Sequence, residues 1–153
     1  MVFPSIIQKI FTVTLILVFV FQLANGQQTE SAQSSFALAK EKNRKILLVF
    51  TGSDWCAPCI RFEKKVLNDP TFIHFVDSSL ILINVDFPQS KKLSEQTTKE
   101  NDQLADKFNP SGSFPLIILL RPDQEVLAYL NYRNENADQF IIMLDHYCHN
   151  KFQ

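Results

Sequence analysis

Two cysteines, Cys56 and Cys59, stand three residues apart in the run Trp55–Cys56–Ala57–Pro58–Cys59. Thiols at that spacing can close a disulfide within one helical turn. Where a helix starts at the first of them, its sulfur meets unpaired backbone N–H groups and the positive end of the helix dipole. Both favour thiolate, and motifs of this kind lower a thiol pKa to roughly 3.5–7.5. Cys56 is therefore read as the attacking nucleophile. Cys59, a turn further in, is the resolving thiol that breaks the mixed disulfide. Ala57 and Pro58 set the backbone geometry between the sulfurs, and Trp55 offers an apolar ledge beside the reactive one.

Two bland readings compete. A permanent structural disulfide is the first, although so small a loop constrains the unfolded chain little. Half of a zinc site is the second, and only Cys148 with His146 or His149 could complete its ligand set. Cys148 falls on the apolar face of the last helix, which argues against zinc and makes it a buried, inert thiol. His74, His146 and His149 have no convincing catalytic partners and are read as surface or core filler. Lys91–Lys92 is read as part of a solvated loop.

The elements that must hold the pair follow from hydrophobic patterning. Phe36–Ala39 with Lys40–Lys42 marks a short helix after a polar lead-in at 27–35. Ile46–Phe50 is a continuous apolar run, expected of a strand buried on both faces, and Thr51–Asp54 turns it into the cysteine motif. Phe62, Val66 and Leu67 have helical spacing. Asp69–Pro70 pairs an N-cap with a first-turn proline, and Phe72, Phe75 and Val76 give that helix its stripe. Leu80–Val85 is a second strand. Thr97-x-x-Glu100 suggests a capping box ahead of the helix face Leu104, Ala105 and Phe108. Leu116–Leu120 and Val126–Leu130 flank a Pro122–Asp123 turn and form an antiparallel hairpin. Asn136 caps a last helix presenting Ala137, Ile141, Leu144 and Cys148.

The chain has 153 residues, 46% of them hydrophobic, with a net charge of −1. That length bounds it to one domain with an adequate core. Neither a basic surplus nor a nucleic-acid-binding motif is present. Three glycines in all leave no Gly-rich phosphate loop. The first 26 residues inflate the hydrophobic share: Lys9, an apolar run from Ile10 to Phe21, then Ala24 and Gly26 at the spacing of a signal-peptidase site. The run is short for the roughly 20 residues of a spanning helix, so residues 1–26 are read as a cleaved signal peptide. An uncleaved membrane anchor is the competing reading. Either places the domain, residues 36–153, outside the cytoplasm, where disulfide chemistry is available.

The segment Phe50–Thr51–Gly52–Ser53–Asp54–Trp55–Cys56–Ala57–Pro58–Cys59 resembles the active-site segment of thioredoxin-like disulfide oxidoreductases. Its continuation, Ile60 to Pro70, resembles the exported thioredoxin-like domains of bacterial envelope thiol:disulfide interchange reductases. Ser113–Phe114–Pro115 is similar to that family's cis-proline loop, and the resemblance runs over about residues 36–147. It implies a thioredoxin fold, an α/β arrangement with a central mixed sheet flanked by helices on both faces. It also implies a cis bond before Pro115, which presents the backbone of Phe114 for substrate binding. Proline at the start of an apolar strand suits this, since it lacks an N–H and tolerates cis far better than other residues.

One departure matters. Thioredoxins carry a buried acid six residues before the first cysteine, and Phe50 stands there instead. Glu63, four residues after Cys59, shares a helix face with it. A partly buried carboxylate there would have a raised pKa and accept the Cys59 proton, and the related envelope reductases have a glutamate at this position. Asp54 is read as a turn residue or helix cap ahead of a role in tuning Cys56.

The expected activity is thiol–disulfide exchange on exported proteins, in the reducing direction and without a cofactor. The expected partners are protein thiol or disulfide substrates and an upstream electron donor, for which a membrane thiol reductase is a candidate. Nucleic acid is not expected, and a monomer is. The periplasm is the expected compartment, with secretion as the alternative. An oxidase or isomerase using the same residues, and a chaperone-like binder with a permanent disulfide, are the rival functions.

Overall fold

A computed structural model of the protein describes residues 31–149. The expected signal peptide at 1–26 lies outside the described residues. Ten elements follow in order. Helix α1 (Ala32–Glu41) leads into strand β1 (Lys45–Thr51), then helix α2 (Ala57–Phe62) and a π-helical turn (Glu63–Leu67). Helix α3 (Pro70–Ser79), strand β2 (Leu80–Asp86) and helix α4 (Glu95–Phe108) come next. Strands β3 (Leu116–Leu120) and β4 (Val126–Leu130) precede helix α5 (Ala137–His149). Among the described residues no helix is long and apolar enough to cross a membrane.

The sheet order is β2-β1-β3-β4. β1 runs parallel to β2 and antiparallel to β3, and β3–β4 is the expected antiparallel hairpin. A register shift lies between Leu119 and Leu120, opposite the start of β4. The central strands are apolar throughout because both faces are covered, and successive side chains point to opposite faces. Leu47 and Val49 of β1, with Ile117 and Leu119 of β3, join a core containing Phe62, Phe72, Phe140 and Leu144 from α2, α3 and α5. Ile46, Leu48 and Phe50, with Ile118 and Leu120, join a second core with Phe36, Ala39 and Phe108 from α1 and α4. The mixed sheet therefore has helices on both faces, as expected.

Local signals explain the element ends. Asp69 accepts the Thr71 N–H (2.8 Å) at the start of α3, with Pro70 in the first turn. Asn136 and Gln139 cap α5 reciprocally, Gln139 N–H to Asn136 Oδ1 at 3.0 Å and Asn136 N–H to Gln139 Oε1 at 3.1 Å.

Three expectations are corrected. Residues 32–35 belong to α1 and not to a lead-in, because the Ser31 side chain accepts the Ser34 N–H and starts the helix before the apolar run. Helix α4 is capped by Ser94, whose hydroxyl accepts the Thr97 N–H at 3.0 Å, so Thr97 lies inside the helix. The helix after the cysteines does not continue as α-helix. It widens at Glu63, whose carbonyl accepts the Asn68 N–H at 2.9 Å, an i+5 bond.

Candidate active site

Three segments meet at one end of the sheet, and the strand registers explain why. Thr51 at the end of β1 pairs with Asp86 at the end of the parallel β2. Phe50 pairs with Leu116 at the start of the antiparallel β3. The turn carrying the cysteines, the loop after β2 and the Ser113–Pro115 loop thus emerge side by side.

Cys56 and Cys59 are joined as a disulfide, with Cα atoms 5.2 Å apart. Cys56 occupies the N-cap of α2, and its Sγ accepts the Cys59 N–H at 3.3 Å. A backbone donor aimed at this sulfur favours its thiolate once the bond is reduced. Pro58 lies in the first helical turn, where a missing N–H costs nothing. Cys59 is fully buried, whereas Cys56 retains 5% exposure. Both cysteines are thus buried, with Cys59 the deeper of the two.

Trp55 is 41% exposed, and its placement is specific. The indole N–H donates to the Phe87 carbonyl at 2.7 Å, and the ring meets Phe114 edge-on, centroids 5.3 Å apart. The indole also lies over Gly52, where a built Cβ would fall far inside contact of the ring atoms. The peptide bond between Phe114 and Pro115 is cis, as the resemblance implies. Phe114 packs against Phe87 as well, centroids 5.7 Å apart, so its ring links those of Trp55 and Phe87 in one aromatic row next to the active-site turn.

Phe50 is fully buried in the second core, so the position six residues before Cys56 holds no acid. Glu63 is half-buried, and its N–H donates to the Cys59 carbonyl at the end of α2. Asp54 caps no helix, since Cys56 takes the cap position. Its carboxylate instead accepts the Gln89 N–H (2.9 and 3.1 Å to its two oxygens) and the Ser90 N–H (2.6 Å). Those backbone bonds hold its pKa below the usual value for an aspartate.

Patterning alone missed several residues here. Asp86 accepts the Ser53 N–H at 2.8 Å and the Ser53 hydroxyl at 2.6 Å, tying the turn to β2. The buried Thr51 hydroxyl lies 3.1 Å from Asn84 Oδ1 and 3.2 Å from Asp86 Oδ1. Asn109, 3% exposed, grips Ser113 at both backbone groups, just before the cis bond. Gly52 was the one with a visible signal, a glycine in a glycine-poor chain directly before the motif.

Cys148 is half-buried and free, and burial pushes its thiol pKa up while nearby Lys45 partly offsets this. It lies outside the site and is less buried than expected. His74 and His146 are exposed and belong to no part of the site. Lys91 is exposed, 3.9 Å from Asp86. Among the described residues no group of three or more His, Cys, Asp or Glu could hold a metal ion.

A family model described as thioredoxin-like matches residues 8–122, most of the chain. The chain belongs to the thioredoxin-like family. Within it, the chain is 31% identical over 109 residues to the disulfide bond reductase DsbH of Chlamydia pneumoniae, covering 71% of this chain and 65% of that protein. It is 27% identical over 117 residues to the thioredoxin-related protein DsbJ of the same organism, covering 76% and 33%. The chain thus spans less than two thirds of the length of either relative. Among solved structures, a DsbH oxidoreductase superimposes with a TM-score of 0.72 at 26% identity, over 84% of this chain and 94% of that one. The thioredoxin-like domain accordingly has the thioredoxin fold, with its cysteine pair at the carboxyl end of β1.

Proposed function

We propose that this domain is a thiol–disulfide oxidoreductase that reduces disulfides of exported proteins. The observation that carries the reading is the Cys56–Cys59 disulfide at the start of α2, where Cys56 is the N-cap and its Sγ accepts the Cys59 N–H. In the reduced protein the Cys56 thiolate attacks a substrate disulfide, forming a mixed disulfide and releasing one substrate thiolate. The Cys59 sulfur then attacks Cys56 Sγ, re-forming the Cys56–Cys59 bond and releasing the second substrate thiol. Two electrons leave the protein in this sequence, and the structure holds its oxidised product. An upstream thiol donor, such as a membrane thiol reductase, restores the dithiol.

Trp55, Phe114 and the backbone before Pro115 form the substrate-binding side. Glu63 takes the proton of Cys59, a role supported by its half-buried place one helical turn after that residue. The reducing direction draws support from the relative that bears the name disulfide bond reductase. Export to a bacterial periplasm is supported by the signal-like pattern of residues 1–26. Incubating the reduced domain with insulin under a dithiol donor tests the proposal. Catalysed cleavage of the insulin disulfides that is lost in Cys56→Ser is the expected result. A folded domain with no turnover would favour a binder with a permanent disulfide.

A further inference from the structure

The segment after β2 is fastened to the active-site turn at successive residues. The Phe87 N–H donates to the Thr51 carbonyl at 2.8 Å, and the Phe87 carbonyl takes the Trp55 indole N–H at 2.7 Å. The Gln89 and Ser90 N–H groups both end on the Asp54 carboxylate. The Phe87 ring then backs Phe114, whose other side meets Trp55. Asp54 itself is exposed, and its carboxylate is turned to the Gln89 and Ser90 N–H groups.

We propose that Asp54 is a positioning residue: its carboxylate latches residues 87–90 onto the active-site turn and so holds Phe87 behind Phe114 as a third wall for polypeptide disulfide substrates. This rests on the reading of the domain as a thiol–disulfide oxidoreductase. A carboxylate is suited to the task because it accepts two backbone N–H groups at once, with charge-assisted strength. It acts on the aromatic row and not on the sulfur. Its removal should therefore weaken recognition of a chain that must lie across that row, and spare exchange with a disulfide too small to reach it.

The test compares wild type, Asp54→Ala and Asp54→Asn with two oxidants of the reduced domain, a disulfide-bonded peptide with apolar flanking residues and hydroxyethyl disulfide. For Asp54→Ala the expected result is a KM for the peptide raised about five-fold or more. Its kcat and the hydroxyethyl disulfide rate should stay within about two-fold of wild type. Asp54→Asn keeps one acceptor oxygen within reach of both N–H groups and should restore part of the lost affinity. Amide exchange at Gln89 and Ser90 should quicken in Asp54→Ala, a readout independent of turnover. An unchanged peptide KM would overturn the inference. So would an equal fall with both oxidants, which would place the effect on Cys56. A wild-type domain inactive toward both disulfides would instead refute the underlying reading and this inference with it.

Discussion

Asn109 and Ser113 form a closed ring. The Asn109 amide nitrogen donates to the Ser113 carbonyl at 2.9 Å, and its oxygen accepts the Ser113 N–H at 2.8 Å. One nearly buried side chain thus satisfies both backbone groups of the residue that precedes Phe114 and the cis bond. Removing it breaks two hydrogen bonds, each worth about 0.5–1.5 kcal/mol net. Asn109→Ala should therefore destabilise the domain by about 2 kcal/mol in urea unfolding and weaken substrate binding. A change below about 0.5 kcal/mol would show that the ring is not what orders this loop.

Gly52 leaves room for the Trp55 indole, and a Cβ there would collide with it. Gly52→Ala should push the ring off both the Phe87 carbonyl and Phe114. The chain has one tryptophan, so its emission spectrum reports this displacement directly. A shifted emission maximum with slower insulin reduction is expected. A spectrum identical to wild type would contradict the placement of the ring.

Glu63 is tested at the resolving step alone. With a peptide trapped on Cys56, Glu63→Gln should slow release of the peptide by about a hundred-fold or more, the low end of the range for loss of a general base. Equal release rates for the two proteins from pH 6 to 9 would remove Glu63 from the mechanism.

Cys148 has its thiol pKa raised by burial, so a smaller fraction is thiolate at neutral pH than for an ordinary cysteine, and the thiolate is the reactive form. In the reduced protein at pH 7, iodoacetamide should modify Cys56 first and Cys148 at least ten-fold more slowly. Cys148→Ala should retain insulin reduction. Fast labelling of Cys148 would mark it as reactive.

Much of this site was legible because its signals are local. The cysteine spacing, the strand before it and Pro115 each depend on a few neighbouring residues, and the apolar runs of β1 and β3 show burial on both faces. Asp54 was visible only as a turn residue or helix cap, and nothing local marked Asn109 as the residue that fastens the loop. What they do depends on pairing with Gln89, Ser90 and Ser113, set by strand register and loop path. The π turn at Glu63 had no sequence signature, since its apolar residues Val66 and Leu67 fit an α-helical stripe equally well. Thr97 fits a cap by its spacing to Glu100, and only the hydrogen bond from the Thr97 N–H to the Ser94 hydroxyl shows that the helix starts earlier.

In the proposed function the Cys56–Cys59 pair donates electrons to protein disulfides. Equilibrating the domain in graded ratios of reduced and oxidised dithiothreitol and glutathione gives its reduction potential. A reductase should fall at or below about −230 mV, in or beyond the range of glutaredoxins and thioredoxin. A value above about −180 mV, toward strongly oxidising members such as DsbA, would contradict the reducing role and assign the same two cysteines to disulfide formation.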